Sequence, residues 1–217
     1  MEIKLKILHI LLKGGCLTYS YLYGLMATDG SMSVDKRGYY RETIEIKDEQ
    51  LIKDIATFLK VSYHHRCRVI ANKERHLYSV SIPKYVWEDV KECFRKGRVG
   101  IFEVYKNSDK NAFIRGMFDG DGTVCEMSNS NKLLRIGISI NAQQNEMLEI
   151  FKSFCQDNNI KTSLYFDRRG SGAYFISINK KEDILKFFNL IYSNCDIYLK
   201  RKYEVFVGHG FPNLVTN

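Results

Sequence analysis

Apolar residues along this chain fall into two alternating periods, and the order in which they alternate occurs twice. Between residues 48 and 60, Leu51, Ile52, Ile55, Phe58 and Leu59 recur at the spacing of one helical face. Before that stretch the period drops to two, predicting strands over 31–34 and 40–47 around the turn Asp35-Lys36-Arg37-Gly38. After it, strands are expected at about 62–70 and 75–82, separated by Ala71-Asn72-Lys73-Glu74, and then a helix over 84–95. The second run predicts strands over 123–127 and 133–141 around a polar turn at 128–132, and a helix over 145–158. Strands over 161–167 and 173–179 then flank the hairpin signal Arg168-Arg169-Gly170-Ser171-Gly172, and a helix follows over 182–192. Local echoes support duplication. Tyr78-Ser79-Val80-Ser81-Ile82-Pro83-Lys84 aligns with Tyr174-Phe175-Ile176-Ser177-Ile178-Asn179-Lys180, and Ile44-Glu45-Ile46 with Ile138-Ser139-Ile140.

Each run is headed by the same ten-residue pattern. It reads Tyr21-Leu22-Tyr23-Gly24-Leu25-Met26-Ala27-Thr28-Asp29-Gly30 first and Phe113-Ile114-Arg115-Gly116-Met117-Phe118-Asp119-Gly120-Asp121-Gly122 second. Gly24 and Thr28, like Gly116 and Gly120, are small residues one helical turn apart, so two such helices could pack with their backbones close. Each would end in a carboxylate, Asp29 or Asp121, followed by a glycine suited to a left-handed cap. A carboxylate in the last turn faces the negative end of the helix dipole and needs a compensating cation. Two such ends side by side would offer oxygen ligands to a divalent metal.

This double pattern resembles the LAGLIDADG homing endonucleases in the form that carries both motifs in one chain. Residues 113–122 match closely; residues 22–30 match more loosely, with Ala27 where the family often has an acid. The resemblance implies that Asp29 and Asp121 hold metal and carry the catalysis. It also implies basic residues near the helix ending each unit, eligible here at Lys200 and Lys202 in the second unit and Lys96 in the first. A water-positioning polar side chain after the second strand of each unit would be Lys47 and Gln143. Mg²⁺ is the expected cofactor, with Mn²⁺ able to substitute, because an oxygen-preferring ion that keeps several waters suits so sparse a ligand set.

Periodicity and resemblance together predict an α+β fold of two pseudo-twofold-related αββαββα units, each an antiparallel four-stranded sheet backed by helices. The divisions expected are an N-terminal extension (1–17), a first unit (18–97), a linker (98–111), a second unit (112–207) and a C-terminal tail (208–217). One face of each sheet would be left open. Alternation sends Ile44, Ile46, Tyr78, Val80 and Ile82 inward, so Arg41, Thr43, Glu45, Lys47, Arg75, Ser79 and Ser81 should point outward, joined by His64, Arg66 and Arg68. In the second unit Ile136, Ile138 and Ile140 point inward, leaving Arg135, Ser139, Asn141, Ser177 and Asn179 outward, with Arg168 and Arg169 in a turn. Such faces suit the major groove of duplex DNA.

Composition narrows the class. Across 217 residues the formal net charge is +8, an argument for a polyanionic partner. Only two prolines and 45% hydrophobic residues argue for compact structure throughout. No stretch approaches the roughly 18 uninterrupted apolar residues of a membrane span, and the run over 3–12 is broken by Lys4, Lys6 and His9, so it reads as a short amphipathic helix rather than a secretory signal. The six cysteines are scattered without a Cys-x-x-Cys pair and read as free thiols. An intracellular monomer is expected, cytoplasmic in a bacterium or phage-infected cell, or organellar. The function expected is a metal-dependent double-strand break at a long DNA site, by a free-standing or intron-encoded enzyme. An intron RNA maturase and an inactive DNA-binding relative on the same scaffold are the alternatives, and retention of both Asp29 and Asp121 favours the enzyme.

Overall fold

The computed structural model describes residues 19–63, 69–72, 74, 76–96, 99–126, 134–141, 145–166, 173–212 and 214. The first motif forms α1 (Tyr19–Asp29), then β1 (Gly30–Val34), β2 (Tyr40–Ile46), α2 (Glu49–Tyr63), β3 (Val69–Asn72) and β4 (Leu77–Ile82). A broken helix follows: α3 (Lys84–Trp87), a 3₁₀ turn (Glu88–Val90) and α4 (Lys91–Arg95). After α5 (Ile101–Lys106) the second motif forms α6 (Lys110–Asp121), leading to β5 (Gly122–Glu126), β6 (Leu134–Asn141), α7 (Asn145–Asp157), β7 (Ser163–Phe166), β8 (Ala173–Ile178), α8 (Lys181–Tyr192) and α9 (Lys200–Gly208).

The strands make two antiparallel four-stranded sheets of equivalent order, β1-β2-β4-β3 and β5-β6-β8-β7. Register follows the echoes in the sequence: Ile44 pairs with Val80, and Ile138 with Ile176. These residues are buried, which fixes the register, because a one-residue slip would turn them out to solvent. The fold is therefore α+β, with two copies of one unit.

Several local details differ from the periodic reading. α2 continues to Tyr63 and β3 begins only at Val69, so the strand expected from 62 starts later. A β-rich run such as Val61-Ser62-Tyr63 can be carried on as helix by the hydrogen-bonded turn before it, whatever its intrinsic preference. Ala71 and Asn72, expected in a turn, close β3. The connector between the units carries α5, which buries Ile101, Val104 and Tyr105 in the core. Its N-terminus is held by Glu146 of α7, whose carboxylate accepts from Gly100 N at 2.9 Å and Phe102 N at 3.1 Å. An anion there complements the helix dipole. Gly30 and Gly122 are not left-handed caps. Gly122 is extended (φ −69°, ψ 151°) and leads straight into β5, and the only described glycines with positive φ are Gly38, Gly100 and Gly210. A side chain at Gly122 would strike the Phe118 carbonyl and ring, so close approach, not handedness, requires the glycine.

Four described cysteines, Cys93, Cys125, Cys155 and Cys195, are free thiols, as expected; Cys16 and Cys67 lie outside the described residues. The amphipathic run over 3–12 lies outside them as well. No helix among the described residues is long and apolar enough to cross a membrane.

Candidate active site at the paired helix ends

Helices α1 and α6 are the spine of the molecule, and the small residues of the two motifs set how close they come. A methyl group built on Gly24 would collide with the Phe113 carbonyl, and one on Gly116 with the Tyr21 carbonyl and, at 2.7 Å, the Leu25 amide. Each helix thus lies against the other's bare backbone at the motif glycine. One turn further on, a methyl on Gly120 would collide with Thr28 Oγ1. All four interface residues expected from the sequence lie at this contact. Tyr21, Leu22, Leu25, Met26, Phe113, Ile114, Met117 and Phe118 fill the space around it and are fully buried.

The pairing brings the two C-termini together. Asp29 is the last residue of α1 and Asp121 the last of α6, and Asp29 Oδ2 lies 2.6 Å from where a methyl on Gly120 would stand. The carboxylate of one helix is thereby set against the last turn of the other. Glu42, buried on β2, approaches from the first sheet, its Oε1 only 2.7 Å from a methyl built on Gly30. Glu42 shares the inward parity of Ile44, so alternation carried a signal for it; a charged residue on a core-facing position is what marks it.

The cation that the helix dipoles require is Lys202, in the first turn of α9. Its ammonium donates to the carbonyls of Phe118 (2.6 Å), Asp119 (2.8 Å) and Gly120 (3.1 Å), the last turn of α6. The side chain is buried. Burial pushes its pKa down from the ordinary lysine range to about 8; Asp119, and after it Asp29 and Asp121, oppose that shift, while Arg201 adds to it. Of the two second-unit lysines expected near the carboxylates, Lys202 is the one placed there. Lys200 is exposed and lies 3.7 Å from Glu204.

Lys202 is held in place through Asp119, whose role the motif pattern did not announce. Asp119 is buried and accepts from Tyr21 Oη (2.9 Å), Tyr192 Oη (3.2 Å) and Leu199 N (2.9 Å). Leu199 caps the start of α9, so this carboxylate fixes where that helix begins. Burial raises the Asp119 pKa, against the pull of Lys202, the Leu199 N–H, Tyr21 and Arg115. Burial, then the Asp119 charge, raises both tyrosines well above their usual range. Arg115 is buried too, donating to the Ile191 carbonyl at 2.8 Å with its guanidinium over the Tyr21 ring. At the equivalent position the first unit has Ala27, fully buried and apolar, so this polar brace belongs to the second unit.

The lysine's depressed pKa has a sign. The unfolded chain holds that proton more tightly between pH about 8 and about 10.5, so this group disfavours folding below the window and the fold gains stability as pH rises through it. In metal-free buffer, the thermal stability of wild type relative to Lys202→Met should therefore improve from about pH 7 to about pH 9.5. A difference between the two that stays flat with pH would contradict the assignment.

The other expected residues scatter. Lys96 is exposed at the C-terminus of α4, and Lys47 is exposed just after β2; Gln143 lies outside the described residues. On the open face of the first sheet, Arg41, Glu45 and Ser81 are exposed, and Thr43 and Ser79 half-buried. Arg41 is 3.3 Å from Asp35, and Thr43 Oγ1 donates to the Ser31 carbonyl. His64, Arg66, Arg68, Arg75, Arg168 and Arg169 lie outside the described residues, and Arg135, Ser139 and Asn141 are described only by strand register. Asn179 is exposed, with its amide donating to Ser163 Oγ and Ser177 Oγ. Ser177 departs from expectation: it has the outward parity but is buried. A serine is short, and the Asn179 amide and the neighbouring strands close over it.

Comparison with known proteins agrees with this architecture. The family model described as a LAGLIDADG-like domain matches residues 108–192, the second motif and most of its unit. The intron-encoded RNA maturase bI4 of Saccharomyces cerevisiae is 26% identical over 178 residues, 75% of this chain but only 27% of that protein. Among solved structures, I-DmoI in complex with DNA and Ca superposes with a TM-score of 0.60 at 20% identity, covering 88% of this chain and 97% of that one. A lysine variant of I-SmaMI gives 0.59 at 12% identity, covering 89% and 92%. These structural likenesses concern the fold. With the doubled motif, the two equivalent sheets and the carboxylates at the paired helix ends, they show that residues 108–192 form a LAGLIDADG-like domain, in a chain that shares the fold of the homing endonuclease I-DmoI.

Proposed function

We propose that this chain is a site-specific DNA endonuclease that makes a double-strand break, using divalent metal seated at the Asp29 and Asp121 carboxylates. The observation that carries the reading is the convergence of those two carboxylates at the end of a close-packed helix pair, with a buried lysine capping the same turn. The donor set fits such an ion. Both ligands are oxygen donors, and among the described residues no group of three or more His, Cys, Asp or Glu is arranged to cage a metal. A sparse carboxylate set, completed by water and substrate phosphate, is how Mg²⁺ is usually bound. When bound, such an ion supplies polarisation of a phosphoryl oxygen and a more acidic water.

The chain's own groups do the rest. Asp29 and Asp121 belong to different units, so each is available to one strand of a duplex. Lys202 holds positive charge beside both and keeps the end of α6 from repelling a phosphate. The net charge of +8 draws the duplex in, and exposed polar side chains of the open sheet face such as Arg41, Glu45 and Ser81 are the groups we assign to backbone and base-edge contacts. Relatives solved with DNA carry Ca, Mn or Mg, which supports the divalent requirement and makes Mg²⁺ the ion to try first, with Mn²⁺ as substitute.

The test is to recover cleaved sites from a random duplex library in Mg²⁺ at near-physiological salt. One long preferred site, cut on both strands, is expected, with affinity falling steeply as salt rises. A pool without sequence bias would sink the reading. The similarity to a maturase makes a structured intron RNA the competitor to include; tight, structure-dependent RNA binding without DNA cleavage would replace the enzyme by a maturase.

A further inference from the structure

The two sheets present different chemistry on their open faces, and the difference is sharpest on the second central strand of each unit. Ser79 in the first unit corresponds to Phe175 in the second, by the matching of the two strand sequences and their registers. Phe175 has the opposite parity to Ile176, which is buried beneath the helices, so its ring lies on the open face. It is half-buried there because it lies across Gly137 of β6, where a methyl would come within 2.7 Å of its Cζ. Across β7, Tyr165 pairs with Phe175 and shares its face, and it is 58% exposed on an edge strand. A half-buried phenyl and an exposed phenol thus stand side by side on a surface expected to be polar. The pair offers a partner apolar surface that the polar side chains of the other open face positions do not.

Resting on the DNA-cleaving reading above, we propose that Phe175 and Tyr165 are specificity-determining residues that recognise thymine by its 5-methyl group in the major groove of the half-site under the second unit. The major groove offers one apolar group to a protein, the thymine methyl, and aromatic side chains are among its partners. Phe175 has no hydrogen-bonding capacity, so its preference is for that methyl over the bare edge of the other bases. Gly137 lets the ring lie flat on the sheet instead of standing off it, which leaves room for a base edge. In the first unit the same row runs Glu45, Ser79 and Ile70: an exposed carboxylate, an acceptor suited to the cytosine amino group, a serine in place of the Phe175 ring, and an aliphatic side chain, 51% exposed, in place of Tyr165. The two half-sites are therefore read by unlike chemistry, and the target is not a palindrome.

Replacing single thymidines of the recovered target by deoxyuridine removes the methyl and nothing else. Wild-type protein should lose about fourfold in affinity at one or two positions of the second half-site, the worth of one buried methyl. Phe175→Ala and Tyr165→Ala should each become indifferent to the methyl at one of those positions, while their response to substitutions in the first half-site stays that of wild type. Tyr165→Ala, at an exposed edge site, carries the test alone if Phe175→Ala fails to fold. A target with no sequence bias would fell the endonuclease reading itself, whereas a defined target on which uracil and thymine bind alike would overturn only this inference. Variants that keep the full methyl response would overturn it too. So would binding to single-stranded RNA that both variants lose while duplex binding shows no methyl effect, since the rings would then be stacking platforms.

Discussion

Asp29→Asn and Asp121→Asn are each expected to abolish double-strand cleavage, by about a thousandfold or more, while leaving DNA affinity within about tenfold of wild type. Asn keeps the shape of Asp and its capacity to accept hydrogen bonds but removes the charge that would hold a divalent cation. Affinity should survive because it comes from many phosphate and base contacts spread over two sheets, not from one carboxylate. Because each carboxylate stands at the end of a different helix, loss of either removes one cut of the pair, and any residual product should be nicked rather than linear. Supercoiled plasmid carrying the target separates these outcomes on a gel: nicked and linear forms run apart. Either variant producing linear DNA at the wild-type rate would show that the site lies elsewhere.

The second large effect is on the fold. Gly116→Leu should lower stability by about 3 kcal/mol or more, a fall in melting temperature of roughly 6–12 °C for a chain of this size. The basis is that a side chain at Gly116 meets the Tyr21 carbonyl and the Leu25 amide, both main chain, so relief requires moving a helix rather than turning a rotamer. Even Gly116→Ala should be clearly destabilising, which a surface or half-filled site would not show. Thermal unfolding without metal or DNA is the measurement. An unchanged midpoint for Gly116→Leu would mean that α1 and α6 do not meet through this face.

How much of this was legible beforehand depended on the range of the interaction. The motif helices, both sheets and the inward residues Ile44, Val80 and Ile138 follow from local period and internal echo, which a one-dimensional string displays well. The small residues at the helix contact were legible for the same reason, since Gly24 and Gly116 occupy equivalent places in a repeated pattern. The brace around Asp119 was not. Its donors are Tyr21, Tyr192 and the Leu199 backbone, far away in sequence, and a main-chain N–H leaves no mark on residue identity. Lys200 and Lys202 are equally eligible in the string; burial against three carbonyls is what separates them. The ring on the open face of the second sheet was readable in principle, for Phe175 replaces Ser79 in the aligned echoes. Its signal is an apolar residue at an outward position, set among strands whose other outward positions are mostly polar.

At Gly24 and Gly116 the helices α1 and α6 meet main chain to main chain, so their spacing there is set by peptide geometry rather than by the choice of side chain. On the reading proposed here, the stagger between the two cuts is built into that contact, whereas the address on the DNA is written on sheet faces some distance away. Cutting geometry and address can then diverge independently. Substitutions across the strands can redirect the chain to a new sequence while every such descendant leaves ends of the same form.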